Sequence, residues 1–332
     1  MTAMRILILG ANGFLGGHVL RHVSTTDSDI RVLVSKIDLS FTEEHPDVEV
    51  NIGDLTDERA LKSALSGVDV VVHAASKNID IDGTGFTDIN VHGTARLCRA
   101  ACDAGVRKFI YISSVGVYGH GIHRNADEDT PLAPDTPFSR SKADAEQLVL
   151  KHHYAGDFQA IILRHRFVYG DRDVYIVPRI MHVVHRYPFF INQGRAHLSF
   201  ISAADFAKTI YRFIQWEGDL GSPFFNVTDG LPISYRDVVN TLCVAFGMQL
   251  PKRSIPYHLL YGPVRLYEKL NRIDPERIAH PLSSIRMKMC ACDNYFSNRK
   301  LTTLMPELKF HSFSEGIDRS FDFYKKFVQQ EC

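Results

Sequence analysis

The sequence has no excess of charge of either sign. Lysine plus arginine and aspartate plus glutamate number 38 each, which gives a formal net charge of zero at pH 7. A nucleic-acid-binding protein needs a basic excess to neutralise phosphates, and a solvating tail needs an acidic run. We therefore expect neither class, and no nucleic acid as a partner.

Long apolar runs and metal-binding motifs are also missing. No stretch approaches the ~18 uninterrupted apolar residues of a spanning helix, so we expect a cytoplasmic protein with no membrane partner. The six cysteines form no disulfide or zinc framework, which is typical of reduced thiols. The histidines give only isolated pairs, such as His18 with His22 and His182 with His185, and no HExxH motif. We expect no metal.

Short β-branched runs alternate with helical stretches in the first half of the chain. This pattern predicts an α/β fold, a Rossmann-type doubly wound parallel sheet with a smaller C-terminal substrate lobe. Residues 1–173 are assigned to the dinucleotide-binding Rossmann core. Residues 174–332 are assigned mainly to the substrate-binding lobe, with some segments returning to the core. The predicted core strands are Met4–Leu9, Ile30–Val34, Val48–Ile52, Val68–His73, Lys108–Ser113 and Ala160–Arg164. The predicted core helices are Gly16–Val23, Arg59–Leu65, Val91–Ala104 and Ser141–His153.

A glycine-rich turn, residues 10–16, directly follows the first predicted strand. Its three glycines allow a sharp turn, a close approach to a pyrophosphate and close packing of helix against strand. The N-terminus of the following helix offers N–H groups and a partial positive charge to the same anion. The turn therefore predicts a dinucleotide site. The predicted cofactor contacts are Gly10, Asn12, Gly13, Phe14, Leu15 and Gly16.

The end of the second strand indicates which dinucleotide is bound. A carboxylate there would bind the ribose hydroxyls and repel a phosphate, but Ser35 and Lys36 offer a hydroxyl and an amine instead. NADP(H) is therefore favoured. NAD(H) stays the alternative, because Asp38 is only two residues further along.

Two further strand ends extend the predicted site. Asp54, followed by Leu55, ends the third strand, where a carboxylate can accept a hydrogen bond from the adenine amine. A simple turn aspartate has the same sequence context. The fourth strand ends in the small residues Ala74, Ala75 and Ser76, which suit a surface across which a dinucleotide lies.

The order of these segments resembles the extended short-chain dehydrogenase/reductase superfamily. The glycines have the GxxGxxG spacing, and the run Tyr111–Gly119 carries the fifth strand to the carboxyl edge of the sheet. The resemblance covers nearly the whole chain and is to the NAD-dependent epimerase/dehydratase family. The tail around Ser314–Ile317 is similar to the 3-beta-hydroxysteroid dehydrogenase-like branch. The resemblance implies an oxidoreductase that acts on a small-molecule substrate and forms a homodimer.

The resemblance also assigns roles at the reaction centre. It implies that Ser114 holds the substrate oxygen, that a Tyr at position 138 exchanges the proton, and that Lys142 binds the nicotinamide ribose and lowers the Tyr pKa. It places His165, where the family usually has Pro, near the nicotinamide. Position 138 is Phe138 in this chain. A Phe ring has the shape of Tyr but no hydroxyl, so it cannot transfer a proton.

Three explanations of Phe138 are open. In the first, it is an introduced Tyr-to-Phe change that traps a substrate. In the second, it is natural, and Tyr118, Tyr169, His165 or Ser139 donates the proton. In the third, the chain binds a dinucleotide as a sensor or regulator and catalyses nothing.

We expect an NADP(H)-preferring oxidoreductase that interconverts a secondary alcohol and a ketone on a small or hydrophobic substrate, weakened or trapped by Phe138. The aromatic and leucine-rich segment Ile255–Tyr267 is interpreted mainly as a helix that packs its apolar face into the lobe, and otherwise as an apolar wall for the substrate. One alternative is the non-catalytic regulator. The other is a sugar-nucleotide epimerase or dehydratase, for which cations could bind a diphosphate. The candidates are Arg172, Arg179, Arg186 and Arg195.

Overall fold

The computed structural model describes residues 4–36, 39–78, 85–273 and 283–331, so Asp38 lies outside the described residues. The chain forms two compact units. The first comprises Met1–Val117, Leu132–His165 and Ala204–Phe225, and the second comprises Tyr118–Pro131, Arg166–Ala203 and Asn226–Cys332. Every predicted cofactor and reaction-centre residue belongs to the first unit. The predicted division at residue 173 stays a prediction, since each unit draws on several stretches of sequence.

A seven-stranded sheet, in the order β12-β7-β5-β4-β1-β2-β3, carries the predicted site. Its neighbouring strands from β7 to β3 run parallel. Smaller sheets have the orders β13-β10-β15-β6, β11-β8 and β14-β9. The strands are β1 Arg5–Leu9, β2 Asp29–Val34, β3 Glu49–Ile52, β4 Val70–His73, β5 Lys108–Ser114, β6 His123–Ala126, β7 Gln159–His165, β8 Phe167–Tyr169, β9 Phe189–Ile191, β10 His197–Leu198, β11 Phe200–Ser202, β12 Phe224–Val227, β13 Ile233–Ser234, β14 Arg253–Ile255 and β15 Asn294–Phe296.

Helices follow most strands of the large sheet, as a doubly wound fold requires. A π-helix, Phe86–Gly93, runs directly into α4. The α-helices are α1 Phe14–Val23, α2 Leu39–Glu44, α3 Glu58–Leu65, α4 Thr94–Asp103, α5 Pro137–Ala155, α6 Val177–Arg186, α7 Ala203–Ile214, α8 Tyr235–Phe246, α9 Tyr257–Leu270, α10 Ser284–Ala291, α11 Arg299–Leu304, α12 Phe313–Arg319 and α13 Phe321–Glu331.

The predicted Rossmann core is confirmed, since each of the six predicted strands is present in the large sheet. One helix boundary is wrong in a way that matters for the site. The sequence predicts a helix from Ser141, but α5 begins at Pro137 and therefore includes Phe138. The cause is a capping box, in which Ser139 N–H donates to Thr136 Oγ1 at 3.1 Å and Thr136 N–H donates to Ser139 Oγ at 2.9 Å.

One cluster of the core of the first unit lies between the sheet and helices α3, α4 and α5. Phe109 and Tyr111 of β5 pack there with Leu97 of α4 and Val149 of α5, all of them buried. Strands buried on both faces need continuous apolar runs, and Ile6–Leu9 in β1 is such a run. Among the described residues, no helix combines the length and apolar character that a bilayer crossing needs.

Candidate active site

The glycine turn between β1 and α1 is fixed by backbone contacts. Gly10 has φ +79°, and a Cβ there would lie 2.8 Å from the backbone nitrogen of Ala75. A Cβ on Gly16 would overlap the carbonyl of Gly10, so α1 approaches the turn only because residue 16 has no side chain. These two positions need glycine for local geometry and for the contact between helix and turn.

Gly13 differs, because a side chain there would have a single close neighbour. A Cβ at Gly13 would meet only the Gly10 carbonyl oxygen, at 3.2 Å. Gly13 is the N-cap of α1, where no side chain caps the helix and no acidic residue lies in the first turn. The first-turn N–H groups can therefore bind a pyrophosphate, with Phe14 and Leu15 half-buried beside them. The turn fits a dinucleotide.

The loop after β2 contacts this turn. Ser35 and Lys36 are both exposed directly after Val34, the last residue of the strand. The side-chain amide of Asn12, itself in the glycine turn, donates to the carbonyl of Lys36 at 3.4 Å. The two residues predicted to select the dinucleotide thus lie beside the residues predicted to bind its phosphates.

The residues after β3 are held by local contacts. Asp54 is exposed, and its Oδ1 accepts from the Thr56 N–H at 2.7 Å and the Thr56 hydroxyl at 2.5 Å. These bonds hold the pKa of Asp54 below its usual range. The aspartate thus forms a turn, and its contact with adenine stays a prediction. Leu55 is buried and packs against Gly93, where a Cβ would lie 2.8 Å from Leu55 Cδ1.

The segment after β4 is anchored by a buried asparagine, Asn90. The Ala74 N–H donates to the Leu9 carbonyl at 3.1 Å, and Ala74 and Ala75 are half-buried. Asn90, in the π-helix, accepts from Ser76 Oγ at 3.3 Å and donates to Ser141 Oγ, on α5, at 3.0 Å. Asn90 therefore ties the π-helix to Ser76 and to the first turns of α5.

Lys142 is the buried lysine of the predicted reaction centre. Its Nζ donates to the carbonyl of Ile112 at 2.9 Å and lies 5.9 Å from the centre of the Phe138 ring. Burial lowers the pKa of Lys142 to about 7, while the nearby Glu146 carboxylate opposes this shift. The Phe138 ring is half-buried and meets Phe86 edge to face, with 5.8 Å between ring centroids. Lys142 and position 138 thus lie close together, and their role in proton transfer stays a prediction.

Ser114 and His165 lie side by side at the carboxyl end of the sheet. They are register partners on the parallel strands β5 and β7. Such partners project from the same face of a sheet. Ser114 Oγ accepts from the Gly116 N–H at 3.1 Å, and the half-buried His165 ring meets Phe206 edge to face at 5.4 Å.

The preceding register pair, Ser113 and Arg164, projects to the other face and binds one buried carboxylate. Glu146 accepts from Ser113 Oγ at 2.5 Å and from Arg164 at 3.0 and 2.6 Å, and all three side chains are essentially inaccessible. This network fastens α5 to β5 and β7 one helical turn beyond Lys142. Sequence reasoning missed it because the ion pair joins residues from separate elements.

Three of the four proposed proton donors, Tyr118, Tyr169 and Ser139, are buried and make hydrogen bonds within the protein. Tyr118 and Tyr169 are buried in the second unit, where their hydroxyls donate to Asn226 at 2.9 Å and to the Ser312 carbonyl at 3.2 Å. Ser139 is fully buried within the capping box of α5. Of the four candidates, His165 alone is half-buried beside Ser114.

One group among the described residues brings three metal-ligand types together. Cys102, His152 and Asp157 offer ligand atoms within 4.8 Å of one another. His152 Nδ1 already pairs with Asp157 at 2.7 Å, and burial and the Asp157 carboxylate raise the pKa of the Cys102 thiol. The group is therefore explained by an ion pair that closes the end of α5.

The chain is similar to several known proteins. Residues 6–227 match the model of the NAD dependent epimerase/dehydratase family. The chain is 30% identical over 261 residues to dTDP-glucose 4,6-dehydratase of Streptomyces griseus, covering 73% of this chain and 78% of that protein. It is 25% identical to sterol-4-alpha-carboxylate 3-dehydrogenase of Mus musculus, covering 96% and 90%. The solved structure of UDP-glucuronic acid 4-epimerase from Bacillus cereus with NAD has a TM-score of 0.77 at 19% identity, covering 98% and 100%.

Proposed function

Since the chain belongs to the NAD-dependent epimerase/dehydratase family, we propose that it is an NADP(H)-preferring oxidoreductase that interconverts a secondary alcohol and a ketone. The observation that carries the proposal is the buried Lys142 amine on α5, which lies close to position 138 and is bonded to Ile112 of β5, the strand that ends in Ser114. Its relatives in the comparisons are enzymes, which disfavours the non-catalytic regulator. A cytoplasmic homodimer with a small or hydrophobic substrate is part of the same proposal.

The chain's own residues would divide the work as follows. A dinucleotide held by the glycine turn would supply the chemistry of hydride transfer. Ser114 binds the substrate oxygen through Oγ, and Lys142 binds ribose hydroxyls through its amine. Phe138 supplies no proton, because it has no hydroxyl. We assign proton transfer to His165, since it shares a sheet face with Ser114 and an imidazole exchanges protons near neutral pH.

Turnover of defined substrates tests this function. The wild-type chain and Phe138→Tyr are assayed with NADPH or NADP⁺ against secondary alcohols and ketones by absorbance at the nicotinamide band. Nucleotide sugars are assayed by chromatography of the products, because epimerases and dehydratases return the hydride and leave no net change in absorbance. The proposal expects activity on alcohols or ketones that Phe138→Tyr increases. Activity on nucleotide sugars alone would contradict it.

Cofactor preference has a separate test. Lys36 is exposed beside the glycine turn, so its amine can pair with a ribose 2′-phosphate. Lys36→Ala should weaken NADPH binding about tenfold, as expected for one charge-assisted contact, and leave NADH binding unchanged. Lys62→Ala removes an exposed lysine from α3 and serves as the control. Tighter binding of NADH by the wild type would show the preference to be wrong.

One observation favours the sugar-nucleotide alternative. Arg286 has its pKa lowered to about 10 by burial and by the nearby Arg179 cation. Two adjacent guanidinium groups within the second unit could bind a diphosphate. The sequence analysis proposed Arg179 but missed Arg286. If this alternative holds, uridine diphosphate binds the wild type in calorimetry, and Arg286→Ala loses that binding.

A further inference from the structure

Helix α9 exposes a stripe of large apolar side chains. Leu259, Leu266 and Leu270 are 58%, 57% and 73% exposed, and Tyr267 is 61% exposed. Spacings of seven and four residues place the three leucines on one helix face. A helix that only packed into a lobe would bury such residues, as α9 does on its opposite face, where Leu260 and other residues pack against Met287.

The exposed flank beside this stripe is basic. His258, Arg265 and Lys269 follow the same spacing of seven and four, and all three are exposed. The helix has one acidic residue, Glu268, which is only 2% exposed and accepts hydrogen bonds from Ser284 at 2.8 and 2.6 Å. Glu268 also pairs with Arg265 at 3.5 Å, but the Arg265 side chain stays 54% exposed. Exposed basic residues also lie just outside the helix, at Lys252, Arg253 and Arg272.

This local charge contrasts with the chain as a whole, whose formal net charge is zero. A second copy of the same helix would bring basic residues against basic residues, which disfavours self-association through this face. Apolar and basic flanks side by side suit the boundary between acyl chains and anionic headgroups, where tyrosine is also enriched.

We infer that α9 binds the surface of a membrane containing anionic phospholipids. Leu259, Leu266 and Leu270 enter the boundary of the acyl chains, and Arg265 and Lys269 meet the lipid phosphates. The expectation of no membrane partner depended on the lack of a spanning run, but a helix that lies in the interface needs none. The inference is independent of the proposed reaction.

Vesicle flotation tests this inference. The full chain is mixed with vesicles of phosphatidylcholine, or of phosphatidylcholine and phosphatidylglycerol at about 7:3, at low salt. The wild type should float with the anionic vesicles and lose binding as salt rises, because the phosphate contacts are screened. The double variant Leu266→Glu with Leu270→Glu should bind at least about tenfold more weakly, since both apolar contacts are lost.

Two further variants separate lipid binding from damage to the fold. Lys269→Glu keeps the leucines and should weaken binding to anionic vesicles several-fold. Leu231→Glu changes a leucine that is 53% exposed elsewhere in the second unit and should bind like the wild type. Thermal unfolding of each variant checks that it folds. If the double variant does not fold, the binding of Lys269→Glu and the salt dependence of the wild type test the inference in its place.

Three results would overturn the inference. The wild type does not float with anionic vesicles at low salt, or Leu231→Glu weakens binding as much as the double variant. In the third, sedimentation shows that the wild type is a dimer and that the Leu266→Glu variant is a monomer, and the wild type binds no vesicles. The face would then be an interface between copies of the chain.

Discussion

The glycine turn and the reaction centre belong to the same compact unit, yet they tolerate change very differently. At the turn, a Cβ on Gly10 or Gly16 would meet backbone atoms, so geometry dictates the residue. At the reaction centre, Phe138 has the ring shape of Tyr and packs edge to face against Phe86. The fold therefore requires glycine at two positions of the turn. At the predicted reaction centre, by contrast, Phe and Tyr fill the same space at position 138 and differ by one oxygen.

The largest expected effect is the loss of dinucleotide binding when Gly13 in the glycine turn is replaced and the chain still folds. Gly13→Val should weaken dinucleotide binding by about 10³–10⁵-fold, because the new side chain occupies the space in which first-turn N–H groups meet the pyrophosphate. The Cβ itself meets only the Gly10 carbonyl oxygen at 3.2 Å, so the chain should still fold. Calorimetric titration measures the binding, and circular dichroism checks the fold. Unchanged affinity would place the nucleotide elsewhere.

The next effect restores the missing oxygen. Phe138→Tyr places a phenol near Lys142, whose Nζ already lies 5.9 Å from the ring centre. Turnover should rise by up to ~10²-fold, or about 3 kcal/mol of barrier, because a positioned general acid contributes ~10²–10⁴-fold and His165 is assigned the low end of that range. Cofactor affinity should hardly change, because position 138 is assigned to proton transfer. Steady-state kinetics and titration give the two values. If turnover stays flat or falls, the site works without a phenol at 138.

These two regions also show what sequence could and could not predict. The glycine spacing and the strand ends are local signals, so the turn and the six core strands were predicted correctly. The start of α5 was predicted wrongly. The usual capping box has Glu or Gln three residues after the N-cap, whereas α5 has Ser139 there, and its hydroxyl completes the capping box with Thr136. The buried Ser113–Glu146–Arg164 network could not be predicted, because it depends on register between β5, β7 and α5.

A smaller effect is the change in stability with pH that Lys142 should cause. The pKa of Lys142 is about 7 in the folded chain, against an ordinary 10.5. Between these values the unfolded chain binds a proton that the folded chain does not, so this group makes stability rise with pH. The unfolding free energy of the wild type, less that of Lys142→Met, should increase by about 3 kcal/mol from pH 7 to 9.5. Denaturant titrations measure it, and a difference that is flat or falls with pH would contradict a buried neutral lysine.

The smallest effect asks whether the reaction centre has replaced its missing phenol. His165→Gln should lower kcat about 10²-fold, the low end for general acid catalysis, because Gln cannot exchange the proton at the sheet face shared with Ser114. In the Phe138→Tyr background the same change should have little effect, since the phenol then transfers the proton. Cofactor affinity, measured by titration, should stay constant in both backgrounds. An equal loss of kcat in both would mean that His165 supports the cofactor or the strand end, and that the natural chain has no proton donor in this position.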